Sequence, residues 1–175
     1  EEVDRDDLDL TFESYLYPAG MTHMTMMLPI EYQHGSPDEV LERLRDPAVR
    51  EASLPGLKER IGRADQICGF TRSGRHTGKR LSELAEESGK SPETFAYDLL
   101  LEEDGLQAFV FPWQVPEEEA EKSVVATARH PRMMVASDGI YNIPHPHPRG
   151  NGCFARILGE FVRDRGILSV QEAVY

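Results

Sequence analysis

Asp138 closes the apolar run Met133-Met134-Val135-Ala136-Ser137, and Gly139 follows it. Active sites of parallel α/β folds gather where strands end, because the loops there are free to vary. A carboxylate in that place can ligate a metal, or take a proton from metal-bound water and pass it on. The glycine lets the chain turn away sharply. Capping a turn or the next helix is the plainer use of such an Asp, and both uses stay open. Arg149 stands eleven residues further on, in Pro144-His145-Pro146-His147-Pro148-Arg149. Its guanidinium is the natural partner of a planar carboxylate, such as that of a small acidic substrate, but it also suits a solvated surface. His145 and His147 have a spacing that puts two imidazoles on one side of an extended strand, a metal-ligand arrangement. The prolines around them predict an extended loop instead.

Other residues carry weaker chemistry. Tyr15 and Tyr17 alternate with Leu16, which on a strand points both to one side. A phenol there can donate to a polarised carbonyl, or it can be a core residue with a satisfied hydroxyl. The methionines from Met21 to Met27 suit an adaptable apolar pocket or plain core packing. Gly74, Gly78 and Lys79 resemble a phosphate-cradling loop, but the spacing is one residue short, and Arg80 stands where Ser or Thr belongs. A solvated loop is the simpler expectation. Cys68 and Cys153 lack zinc spacing and an activating neighbour.

These residues need elements to hold them. Alternation predicts a strand over 8–17. Ser36-Pro37 with Asp38 and Glu39 opens a helix, and Asp46-Pro47 opens a second, short one. Residues 62–80 read as a polar excursion with one strand in the apolar island 67–70. Residues 81–88 read as a helix closed by Gly89. Ser91-Pro92 opens the next, which runs to about 103 and is closed by Gly105. Residues 107–113 form a buried strand. Residues 115–129 form a helix with Ala120, Val124, Val125 and Ala128 on one face. Residues 133–136 form a short strand, 139–152 a loop, and Phe154, Ile157, Leu158, Phe161 and Val162 mark an amphipathic helix closed by Gly166. Strands alternating with helices imply a parallel sheet or barrel, and about three strands are too few to close one of eight. The expectation is α/β: a partial (β/α) barrel or a small open sheet.

Composition narrows the function. The 175 residues suit one domain or a large piece of one, and 39% hydrophobic residues can build a core. The formal charge of -12 argues against nucleic acid as the main partner. No apolar run approaches the roughly 20 residues of a membrane helix, so no membrane partner is expected. Two distant cysteines make no disulfide framework, and a reducing cytoplasm is the default. The chain does not begin with Met. It ends at Tyr175, soon after Ser169 and Glu172, whose spacing is that of a capping box. A helix so brief predicts a protein that continues, or once continued, beyond both ends, with a frayed terminus as the plainer alternative.

Several segments together resemble the closing part of the D-aminoacylase, or N-acyl-D-amino-acid deacylase, family. They are Tyr15-Leu16-Tyr17-Pro18-Ala19-Gly20, Leu41-Glu42-Arg43-Leu44-Arg45-Asp46-Pro47, the Leu-Ser-Glu-Leu-Ala core of 78–89, Val135-Ala136-Ser137-Asp138-Gly139, His145-Pro146-His147-Pro148-Arg149 and 154–159. They run in the family's order. The resemblance implies the last strands and helices of an amidohydrolase TIM-type barrel over 1–175, with a helical insertion at about 30–105. It implies Asp138 as the acid/base beside zinc and a possible metal ligand. Arg149 is implied to bind the substrate carboxylate, and Tyr15 to lie near the scissile carbonyl. Met21 stands where the family has a Ser that contacts the substrate, with Thr22 as a substitute. Leu16 and Pro18 break the family's Tyr-Pro-Tyr run. The implied reaction is zinc-assisted hydrolysis of an N-acyl-D-amino acid.

The family's other zinc ligands, a His-x-His pair, a Cys or carboxylate and two further histidines, belong to earlier strands that do not occur here. Zinc is therefore not expected on this chain alone, and the isolated chain is expected to be inactive. The remainder of the barrel or a partner chain would complete it. Two other functions compete: a non-catalytic binding or structural module derived from an amidohydrolase half, and a small independent metal-binding protein using His145 and His147.

Overall fold

The computed structural model describes residues 9–62, 65–103, 108–112 and 115–174. In chain order, the elements are β1 (Phe12–Ser14), β2 (Ala19–His23), α1 (Pro37–Leu44), α2 (Pro47–Ile61), β3 (Ile67–Phe70), α3 (Leu81–Ser88), α4 (Pro92–Glu102), β4 (Ala108–Pro112), α5 (Glu117–Ala128), β5 (Met133–Val135), α6 (Arg149–Arg156) and α7 (Val170–Val174). Helix α6 runs directly into a π-helical stretch, Ile157–Asp164. Two compact units divide the chain. One comprises Glu1–Pro18, Val115–Ile140 and Pro148–Tyr175; the other comprises Ala19–Gln114 and Tyr141–His147.

The first unit pairs β1 with β5 in parallel, Phe12 opposite Met133 and Ser14 opposite Val135. β1 is shorter than the alternation predicts. Leu16 takes a left-handed backbone, φ 56°, and this ends the extended run before Tyr17. Its helices bury Ala120, Val124 and Ala128 from α5, and Cys153, Ile157 and Phe161 from α6 and its π extension. The expected apolar face of the last long helix is only partly used. Ile157 and Phe161 are buried, whereas Phe154 and Leu158 stand 59% and 50% exposed. Gly166 closes that helix as predicted, with φ 58°.

In the second unit the sheet is antiparallel, in the order β2-β4-β3. This corrects the expectation of an all-parallel sheet. The chain passes through α3 and α4 between β3 and β4 and re-enters the sheet antiparallel to both of its neighbours, whereas a parallel pair needs a crossover that brings the chain back in the same direction. β2 was not foreseen, because Ala19-Gly20-Met21-Thr22-His23 lacks the β-branched enrichment of a strand.

Caps explain the helices of this unit. Ser36 and Glu39 form a reciprocal capping box before α1. Gly89 takes φ 66° after α3, while the N–H groups of Gly89 and Lys90 donate to the carbonyls of Glu86 and Ala85. Helix α2 is long where a short one was expected, and it passes through Pro55. Burial of Leu57 and Ile61 beyond the proline outweighs the lost hydrogen bond. Gly56 lets that turn pass close to Pro29, whose Cγ would lie 2.8 Å from an added Cβ.

Helices α1 to α4 enclose one apolar cluster that includes Met24, Met27, Leu28, Leu44, Leu57, Leu84, Tyr97 and Leu100. The methionines of 21–27 are thus largely core. Tyr97 is fully buried, and its hydroxyl donates to the Leu44 carbonyl at 2.8 Å. Tyr97→Phe leaves that buried carbonyl short of a donor. A loss of about 1–2 kcal/mol is expected in urea unfolding, with the slope unchanged.

Candidate functional site

Asp138 follows β5 by three residues and takes φ 44°; it and Leu16 are the non-glycine residues with positive φ among those described. That backbone turns the chain at the end of the parallel pair, as Gly139 alone was expected to do. Arg149, the first residue of α6, meets it twice. Its Nε donates to the Asp138 carbonyl at 2.9 Å, and its Nη2 lies 2.7 Å from Asp138 Oδ2. The Tyr15 ring lies under the guanidinium, with 4.5 Å between Cζ and the ring centroid. Asp138, Arg149 and Tyr15 are therefore brought together within one unit.

The exposure of the pair is lopsided. The Arg149 side chain is 3% exposed and that of Asp138 is 70% exposed. A buried cation is tolerated only when paired and hydrogen-bonded, which the carboxylate, the carbonyl and the ring together supply. Chemically, this is a guanidinium already shaped to a carboxylate, beside a carboxylate that is open to solvent. Such a carboxylate can take and return a proton.

A second cluster repeats the pattern and was not foreseen. Arg156 lies seven residues after Arg149, two turns along the same helical face. Its guanidinium stacks on the Tyr17 ring at 4.4 Å, and its Nη1 donates to the Leu16 carbonyl. Glu160 grips the same group from the far side, with Arg156 Nε to Oε2 at 2.5 Å and Nη2 to Oε1 at 3.0 Å. Arg165 adds a contact to Glu160 at 3.1 Å and pairs with Glu121. The signal in the sequence was Tyr-x-Tyr matched to two arginines seven apart. Each half looked ordinary alone. Burial pushes the Tyr17 phenol above its usual range, against the pull of Arg156. Hydrogen bonds from Arg156 hold the Glu160 carboxyl below its usual range.

The remaining candidates lie in the other unit. Thr22 is half-buried on β2, opposite Phe109, and Met21 beside it is buried. His145 and His147 are in irregular chain, as the prolines predict. The His145 N–H donates to the Gly69 carbonyl at 3.3 Å, and His147 is buried. Gly78 takes φ 85° close to the His145 ring. Lys79 pairs with Glu87 at 2.8 Å, so the glycine-rich run is a braced loop. Cys68 is buried, and burial pushes its thiol up to about 12, the mark of an inert structural thiol.

Among the described residues no three His, Cys, Asp or Glu side chains gather as a metal site. Asp138 itself faces a guanidinium. The described residues therefore do not fit zinc, which needs about three protein ligands in a catalytic site. None of the described helices is long and apolar enough to cross a membrane.

No protein-family model matches the chain. Individual relatives do. A D-aminoacylase of Alcaligenes xylosoxydans xylosoxydans is 33% identical over 99 residues, which are 57% of this chain and 18% of that protein. An N-acyl-D-glutamate deacylase of the same organism is 44% identical over 54 residues, 31% of this chain and 11% of that one. The chain thus spans less than a fifth of either relative's length. Among solved structures, an N-acyl-D-glutamate deacylase from Bordetella bronchiseptica, complexed with zinc and a phosphonate inhibitor, matches with a TM-score of 0.65 at 23% identity. The match covers 97% of this chain and 27% of that one. A D-aminoacylase structure that defines a subset of amidohydrolases matches with a TM-score of 0.62 at 25% identity, over the same shares.

Two measurements check the second cluster. A Cβ at Gly152 would lie 2.9 Å from the Tyr17 hydroxyl. Gly152→Ala is expected to lower thermal stability with Tyr17 present and to cost clearly less in a Tyr17→Phe background. Because its folded-state carboxyl is depressed from an ordinary 4.5, Glu160 contributes stability that is present above that pH and is lost as pH falls through the lowered value. Glu160→Gln is expected to be less stable than the parent at pH 7, with the gap closing in acid below pH 4.5.

Proposed function

Because the chain is similar to D-aminoacylases over a portion of their length, we propose that it forms the closing part of an amidohydrolase catalytic domain that cleaves the amide bond of N-acyl-D-amino acids. The observation that carries this reading is Arg149, a buried guanidinium bonded to the carbonyl and carboxylate of Asp138 and stacked on Tyr15. It joins three of the residues to which the resemblance assigns chemistry, Asp138 by hydrogen bonds and Tyr15 by stacking.

Each has a role at its own atoms. The Asp138 carboxylate takes a proton from the attacking water and returns it to the leaving amine as the C–N bond breaks and a C–O bond forms. Arg149 anchors the substrate carboxylate; the carboxylate of Asp138 at 2.7 Å supports this by its fit to the guanidinium. Tyr15 donates to the scissile carbonyl. In the resemblance Met21 stands where the family has a Ser that contacts the substrate, with Thr22 as its substitute, which marks where substrate choice departs from the family. Zinc, held by one of the solved relatives, would need ligands from outside this chain.

The parallel pair β1 and β5 supports reading the first unit as the last part of a TIM-type barrel, and the second unit supports an insertion at about 30–105. The exposed Phe154, Leu158, Val170 and Val174 would then pack against the remainder of that barrel. Two free, buried cysteines suit a reducing cytoplasm.

The test compares the complete gene product with its Asp138→Asn variant on N-acetyl-D- and N-acetyl-L-amino acids. Zinc-dependent hydrolysis of the D series is expected, reduced about a hundredfold or more in the variant with zinc content unchanged. Undiminished activity removes Asp138 from the mechanism. A complete product with neither zinc nor activity favours a binding module instead.

A further inference from the structure

We propose that Arg156 is a positioning residue for the site of Asp138, Arg149 and Tyr15, acting through the left-handed backbone of Leu16; this rests on the deacylase reading of that site. Both non-glycine residues with positive φ among those described, Leu16 and Asp138, have their carbonyl oxygen held by an arginine of α6. Each of those arginines is stacked on a tyrosine next to Leu16. A leucine in this region is strained by Cβ against backbone, and its surroundings must offset that strain. The observed supports are the Arg156 guanidinium on its carbonyl, the Ser14 hydroxyl accepting its N–H at 3.2 Å, and burial of its side chain to 1%.

The direction of Tyr15 depends on that strain being held. If Leu16 relaxed to extended backbone, the strand would continue past Ser14, and Tyr15 and Tyr17 would leave their arginines. Arg149 would lose the ring beneath it while its other bonds remain. Arg156 is in turn fixed by the paired bonds of Glu160, an i,i+4 neighbour, so its aim at Leu16 is preset. Arg165 shares Glu160 but has no bond to Leu16, which makes it the control.

The test uses the complete gene product with Arg156→Ala, Arg156→Lys and Arg165→Ala. Two readouts are taken: steady-state kinetics on an N-acetyl-D-amino acid, and the fluorine resonance of Tyr15 in 3-fluorotyrosine-labelled protein, assigned through Tyr15→Phe. Arg156→Ala is expected to lower kcat by roughly ten- to a hundredfold with KM changed less than about threefold, and to shift the Tyr15 resonance. Arg156→Lys, which keeps one donor for the Leu16 carbonyl, is expected to recover part of both. Arg165→Ala is expected to lose thermal stability but keep kcat and the resonance. Should Arg156→Ala not fold, the Lys variant decides, with reduced kcat at parental KM as support. Unchanged kcat and resonance in both Arg156 variants, or an equal effect of Arg165→Ala, overturns the proposal. If the parent has no deacylase activity, that reading fails by itself. The resonance then decides the positioning role, which an unmoved Tyr15 signal in Arg156→Ala would refute.

Discussion

Burying a guanidinium is the demand around which the first unit is organised. Arg149 is almost wholly removed from water, and its charge must be met on every side. The Asp138 carboxylate meets it in the plane, the Asp138 carbonyl meets Nε, and the Tyr15 ring meets one face. That arrangement needs α6 to begin where it does, β5 to end where it does, and β1 to stop short. The left-handed turn at Asp138 presents its carbonyl and its carboxylate to that one guanidinium. The other side of the Asp138 carboxylate stays open to solvent.

How much of this could be read from the sequence varied with the range of the forces involved. Local rules worked where local forces decide. Ser36 with Glu39, Gly89 and Gly166 stood where helix caps should, and Ser169 and Glu172 make their reciprocal bonds at 2.7 and 3.2 Å. Ile67–Phe70 was legible as an apolar island in a polar excursion. The second helix is longer than expected, because it passes through Pro55 and buries Leu57 and Ile61 beyond it. The sense of the second sheet was not legible, because the alternation of strands and helices along a sequence does not reveal in which direction the chain re-enters a sheet. Gly105, Gln107 and Trp113, which were expected to bound a helix and a strand, lie outside the described residues.

The candidate site was legible in its members but not in its bonds. Asp138, Arg149 and Tyr15 stood out by residue type, by strand-end position and by likeness to a family. That Arg149 would be spent partly on Asp138 was not visible, since an ion pair across eleven residues needs the turn between them. Arg156 was invisible for the same reason. It is one arginine among many, and its partners Leu16 and Tyr17 lie about 140 residues away in sequence. Long-range pairing of a polar side chain with a particular carbonyl leaves no periodic trace.

The chain between Asp138 and Arg149 has a further consequence. Of the ten residues joining them, 141–147 belong to the second unit. The His145 N–H on the Gly69 carbonyl anchors that span there. A free tether of this length would charge the ion pair a closure entropy of about 2 kcal/mol, on a (3/2)RT ln n scale. The bonds of Arg149 to the Asp138 carbonyl and carboxylate and its stacking on Tyr15 must together offset that cost, and lengthening the tether would weaken the pair only slowly, by about 0.6 kcal/mol for each doubling of its length.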